Sequence, residues 1–180
     1  RVGKSGTKFD IEKAKWFNQQ YIKVKSGETL AQYLKKDLEA AGIRYEEAKL
    51  PLICNSLKER VTYPTDFLSD GRFFFEAPAS YDEKLVRKKW SEDAVMILKY
   101  YAEALKNERS ITPEAAKELL SNILDEKGVK IGRVMPAVRI AMTGSGSGPD
   151  LMEIIAILGP EEVAKRISTA IKTLPAKQEQ

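Results

Sequence analysis

The sequence predicts an all-α protein built of two helical units. Three observations lead there. Apolar residues recur at three- and four-residue spacing in one segment after another. Capping residues and glycines punctuate those segments where helices begin and end. No stretch alternates apolar and polar residues as a half-buried strand does.

Taken in order, Asp10 is placed to cap a first helix running to about Val24, with Trp16, Phe17, Gln20 and Tyr21 gathered on one side. A second helix spans about Glu28 to Ala41, with Leu30, Tyr33, Leu34, Leu38 and Ala41 as its apolar stripe and Gly42 as its left-handed cap. A third runs from about Tyr45 to Arg60, with Leu50, Ile53, Cys54 and Leu57 inward and a break expected near Pro51. Turn chemistry follows in Tyr63-Pro64-Thr65-Asp66 and Ser69-Asp70-Gly71, then Phe73-Phe74-Phe75 and Pro78. This irregular stretch is taken as the join between the units, near residue 80. The three phenylalanines read as a plug between the units in preference to a base-stacking platform.

The second unit is helical again. Ser91 caps a helix to about Asn107, with Ala94, Ile97, Leu98, Tyr101 and Leu105 inward. Thr112-Pro113-Glu114 is a strong helix start, and that helix stops at Lys127-Gly128. Val129 to Met142 form the next, weakened by Gly132. Pro149 and Pro160 each open a helix after a glycine, the first ending at Gly159 and the second near Leu174. The domains read as 1–80, 81–174 and a frayed tail 175–180.

With 43% hydrophobic and 31% charged residues, the 180-residue chain has material for a packed core. It has no apolar run of membrane-spanning length and no secretory-signal pattern. Cys54 is the one cysteine, so no internal disulfide is possible, and a cytoplasmic setting is expected. Cys54 reads as a small core residue. Histidine is absent, which removes the commonest general base and zinc ligand. A self-contained hydrolase or metalloenzyme is therefore disfavoured.

The net charge of +4 is unevenly spread. Residues 1–60 hold 13 Lys/Arg against 8 Asp/Glu, residues 61–127 hold 10 against 13, and residues 128–180 hold 7 against 5. Two basic ends flank an acidic middle, which suits two phosphate-facing patches or ordinary solvated helix faces.

Gly144-Ser145-Gly146-Ser147-Gly148 invites comparison with a phosphate-binding loop. No strand precedes it and no Gly-Lys-Ser/Thr closes it, so it reads as a turn that lets a backbone or a base approach. The carboxylate pairs Asp82-Glu83, Asp125-Glu126 and Glu161-Glu162 fall at helix edges. Nothing marks them as an acid/base couple. Arg60, at a helix end, and Arg133 and Arg139, before the glycine-rich turn, can each serve a base edge, a phosphate or a surface ion pair.

Three stretches together resemble the bacterial glutamyl-tRNA synthetases, a class I family. They are Lys8-Phe9-Asp10 through Trp16-Phe17-Asn18-Gln19-Gln20-Tyr21-Ile22; Leu57-Lys58-Glu59-Arg60 with the aromatic turn to Phe67; and Pro136-Ala137-Val138-Arg139-Ile140-Ala141-Met142-Thr143-Gly144 with Gly148-Pro149-Asp150-Leu151, Leu158-Gly159 and Arg166-Ile167. The resemblance covers essentially the whole chain. It implies two packed helical subdomains forming an anticodon-binding cage, the C-terminal part of a glutamate–tRNA ligase. The family's ATP-binding motifs lie in a preceding catalytic domain and do not occur here, so no catalysis is expected of these residues. The Lys4-Ser5 pair is not the mobile ATP loop. ATP with magnesium is implied for the parent enzyme and no cofactor for this fragment.

The resemblance further implies a partner, the anticodon loop of a glutamate tRNA, with no membrane or DNA partner and a monomeric protein. Arg60 matches an arginine that reads the third anticodon base, C in a glutamate tRNA and G in a glutamine tRNA, and so implies a glutamate-only enzyme. Arg139 matches an anticodon-contacting arginine. Gly148, Pro149 and Leu151 match the segment packed against the middle base and its neighbour. Two residues depart from the pattern. Gly148 offers only backbone where a hydroxyl can stand, and Asp150 places a negative charge near RNA. The alternative is a helical protein-interaction module that binds no RNA.

Overall fold

The computed structural model of the protein describes residues 10–176. Among these residues there are ten α-helices, two short 3-10 turns and no strand. They form two compact units, one ending at Gly71 and the other beginning at Arg72. Lys4, Ser5, Lys8, Phe9 and the tail from residue 177 onward lie outside the described residues.

The first unit comprises α1 (Ile11–Lys23), α2 (Gly27–Ala41), α3 (Leu50–Leu57) and α4 (Asp66–Gly71). Asp10 caps α1 by accepting from the Lys13 amide, and Ser26 caps α2 by accepting from the Thr29 amide. Helix α2 packs along α3, and α4 rests on both. Leu30, Leu34, Leu38, Ile53, Cys54, Leu57 and Phe67 are sealed from solvent between them. Each such leucine or isoleucine contributes roughly 1.5–3 kcal/mol by leaving water. Burial pushes the Cys54 thiol up to about 12, as fits a core residue. In α1 only Ile22 is buried; Trp16, Phe17 and Tyr21 stand in solvent.

The expected helix from Tyr45 to Arg60 is shorter. A 3-10 turn over Glu47–Lys49 precedes it, and α3 begins at Leu50. Pro51, which has no N–H to donate, sits in its first turn, where none is needed. The helix ends at Leu57, so Arg60 lies in the turn after it.

The second unit comprises α5 (Glu83–Lys89), α6 (Glu92–Leu105), α7 (Pro113–Lys127), α8 (Ile131–Thr143), α9 (Leu151–Leu158) and α10 (Pro160–Thr173). Helix α6 is its spine, packed against α7, α8 and α10, while α9 closes against α7 and α10. The Tyr101 hydroxyl on α6 donates to the Ala116 carbonyl on α7 at 3.0 Å. Ser91 and Thr112 cap α6 and α7 as their spacing predicts. Pro136 lies inside α8.

The stretch from residue 61 to 80 is more ordered than its composition suggests. It holds α4 and a 3-10 turn over Arg72–Phe74, and α5 follows at once. The units part at Gly71, ahead of the expected join near residue 80. The phenylalanine run explains why. Phe74 is buried, its turn packs on α9, and the Phe73 carbonyl accepts from Arg166 of α10, so the run belongs to the second unit. No helix among the described residues is long and apolar enough to cross a membrane.

Candidate functional site

The turn after α3 is held from several sides. Val61 is buried and anchors it. The Thr62 and Tyr63 amides both donate to the Asp66 carboxylate, at 2.9 and 2.8 Å. Helix α1 supports it through Gln19, which donates to the Thr62 hydroxyl at 3.2 Å, and through Lys23, paired with Glu59 at 2.9 Å. On this frame Arg60 is exposed, and Tyr63, three residues on, is 40% exposed. An exposed arginine and an exposed ring on one fixed turn suit a planar, polar ligand that can stack and be hydrogen-bonded along an edge.

The second region is the turn between α8 and α9. Helix α8 ends because Gly144 turns left-handed, with φ 74°. Its carbonyl accepts from the Asp82 amide at 2.8 Å, and a Cβ built on it would lie 2.5 Å from the Ser80 carbonyl oxygen. Only glycine admits both the conformation and the approach. The Thr143 hydroxyl donates back to the Arg139 carbonyl at 2.9 Å and accepts from the Ser145 amide at 3.2 Å. The Ser145 hydroxyl donates to the Ser147 carbonyl at 3.1 Å. Gly146 and Ser147 form an exposed tip.

Arg139, half-buried on α8, spans the base of this turn and donates from Nη1 to the Pro149 carbonyl at 2.9 Å. Gly148 adopts φ 152°, and a Cβ on it would lie 2.9 Å from that same Nη1. Glycine is thus required where the guanidinium passes. Pro149 and Leu151 are buried, so their side chains shape the turn from beneath, and the half-buried Gly148 offers its main chain. Arg139, Gly148, Pro149 and Leu151 therefore come together in the second unit, whereas Arg60 belongs to the first.

Two features were not legible beforehand. Asp150, read as a charge facing RNA, accepts from the Met152 and Glu153 amides at 2.8 and 3.0 Å and caps α9. It, and not Pro149, starts that helix. Arg166 on α10 is 3% exposed. Its Nη1 donates to the Met142 carbonyl at 2.8 Å and to the Phe73 carbonyl at 2.6 Å, and its Nε donates to Glu162 at 2.7 Å. It thereby fixes the last turn of α8 just ahead of the glycine-rich segment. In the sequence it is marked by the i, i+4 spacing of Glu162 and Arg166 among apolar residues and by the Arg166-Ile167 pair of the resemblance. Arg133 is paired with Asp93 at 3.1 Å on the exposed side of α8. No cluster of three metal-ligating side chains occurs among the described residues.

Among the described residues the chain is all-helical, with turns shaped by glycine at 144 and 148 and Arg139 clamped across the second. The comparison with known families makes this specific: residues 15–171 match the anticodon binding domain model, and the chain belongs to that family. It is 48% identical over 178 residues to a glutamate–tRNA ligase of Cytophaga hutchinsonii, covering 98% of this chain and 34% of that protein. It is 40% identical to a glutamate–tRNA ligase of Amoebophilus asiaticus, covering 97% and 34%. A solved glutamate tRNA ligase from Elizabethkingia meningosepticum, in complex with its amino acid, superposes with TM-score 0.87 at 36% identity. That match covers 93% of this chain and 33% of the other. The chain thus spans about a third of the length of the curated relatives it matches.

Proposed function

We propose that this chain binds the anticodon loop of a glutamate tRNA and supplies that recognition to a glutamate–tRNA ligase. The observation that carries the reading is the clamp of Arg139 on the Pro149 carbonyl around Gly148, within a chain matching the anticodon binding domain family. Bases of a single-stranded loop splay out, stack and are read on their pairing edges. A turn with fixed main-chain groups receives the middle of the loop, and Arg60 reads the third base. Each well-bonded base is worth roughly 1–3 kcal/mol of discrimination.

The longer protein would join glutamate to its tRNA with ATP and magnesium. In this proposal the remainder of that protein holds both, and these residues perform no chemistry. The protein would act as a cytoplasmic monomer.

The test is titration of the chain with the anticodon stem-loop of a glutamate tRNA, beside a variant carrying G at the third position. Tighter binding of the first is expected, weakening with salt as counterions are released. Equal binding of the two stem-loops would defeat specific reading. Binding of neither at low salt would leave the protein-interaction module as the better account.

A further inference from the structure

The acidic middle of the sequence hides a basic surface. Helix α5 ends in Arg87, Lys88 and Lys89, all exposed. Arg87 has only a fully solvated contact with Glu83 at 3.4 Å, and Lys88 and Lys89 make no ion pair among the described residues. The helix is not a loose appendage. Asp82 caps it by accepting from the Lys84 and Leu85 amides, while its own amide donates to the Gly144 carbonyl at 2.8 Å. Leu85 lies so close under Gly146 that a Cβ there would sit 2.5 Å from its methyl carbon. At the other end Val86 and Trp90 are buried, and α5 packs against α8. Three cations are therefore held on a rigid element seated directly against the glycine-rich turn.

We propose that the last turn of α5 binds the phosphodiester backbone of the RNA strand that flanks the loop. The proposal rests on the anticodon-loop reading above and adds to it a contact of different character. Helix rise places the three cations within about 10 Å of the capped end, close to the screening length of about 8 Å at physiological salt. A strand that leaves the turn along α5 therefore meets them by direct contact, the field beyond about 8 Å being largely screened. Pinning at both ends means little side-chain support must be reorganised on binding. Cations in a last helical turn also suit the helix dipole, but that role asks for no RNA and predicts no salt dependence of binding. Phosphate contacts carry no base information, so α5 sets affinity and leaves discrimination to the turn and Arg60.

The test compares the chain with its R87Q/K88Q/K89Q variant against the same anticodon stem-loop across a salt series. A second variant, K117Q/K165Q/K172Q, removes the same charge from exposed lysines on α7 and α10. Loss of three phosphate contacts should flatten the slope of log affinity against log salt by about 2, at about 0.7 per contact for a single strand. The ratio between the C and G third-base stem-loops should stay unchanged. The α7/α10 variant should keep a slope near the parent's. An unaltered slope in the α5 variant, or equal flattening in both variants, overturns the proposal while leaving the anticodon reading intact. Failure of the parent chain to bind either stem-loop overturns both.

Discussion

Arg166 donates to the Met142 carbonyl at 2.8 Å from a side chain that is 3% exposed. Met142 is the residue before Thr143 and Gly144, where α8 gives way to the glycine-rich turn. The same guanidinium holds the Phe73 carbonyl and Glu162. One buried cation thus joins α10, the end of α8 and the phenylalanine turn. Replacing it with methionine keeps much of the volume and strands two carbonyls. The loss should be about 1–3 kcal/mol, or roughly 2–12 °C of melting temperature for a chain of this size, read by thermal unfolding. A variant melting with the parent would show that the carbonyls find other donors.

Gly148→Ala places a methyl 2.9 Å from Arg139 Nη1 in a backbone region hostile to side chains. The guanidinium must then shift from the position in which it meets the Pro149 carbonyl. Stem-loop affinity should drop at least as far as in Arg139→Met, and the double variant should be no worse than the worse single, because both break one contact. Fully additive losses would separate the two residues.

Arg60→Gln should leave the unfolding free energy within about 0.5 kcal/mol of the parent, as an exposed turn residue does. The preference for C over G at the third anticodon position should shrink by about 1–3 kcal/mol. Paired titrations give the ratio, and an unchanged ratio removes Arg60 from the reading site.

Cys54 should resist disulfide-exchange reagents at pH 8 in the native protein and react promptly in denaturant. Burial raises its pKa from the ordinary 9.0 to about 12, so little thiolate forms. The sign for stability follows from proton binding. Between those values the folded state keeps a proton that the unfolded state has released. The stabilisation from the protonated thiol is complete below 9.0 and is lost as pH rises toward about 12. Cys54→Ala should show a shallower alkaline decline; identical curves would assign that decline to other groups.

Asp150→Ala removes the acceptor for two amides of α9 and should cost about 0.5–2 kcal/mol by denaturant unfolding. Asp150→Asn or Asp150→Ser should recover most of it. If the asparagine variant is as unstable as alanine, the charge matters beyond the cap.

The long helices were legible because each repeats its apolar spacing over several turns and carries its own caps. Leu30, Leu34 and Leu38 of α2, and Ile97, Leu98 and Tyr101 of α6, are all buried as their periods predict. Helices α4 and α5, and the turn at Arg72–Phe74, escaped notice because they are too short to display a period and sit among prolines and glycines. The phenylalanine run falls with the second unit because it meets α9 and Arg166, partners distant in sequence. At the candidate site, the glycines and arginines were visible as residue types. The carbonyls they serve were not, because main-chain acceptors leave no mark in the sequence. The roles of Asp150 and Arg166 were hidden for that reason.

The turn between α8 and α9 is built almost wholly on main-chain oxygens: Pro149 for Arg139, Gly144 for Asp82, Ser147 for Ser145, Met142 for Arg166. A carbonyl is the same whatever residue carries it. The turn's outline is therefore written in a few side chains, Arg139, Arg166, Thr143, Ser145 and Asp150, and in the two glycines 144 and 148. Of the turn's residues only Ser147, exposed and used through its carbonyl alone, can change its side chain without disturbing that frame.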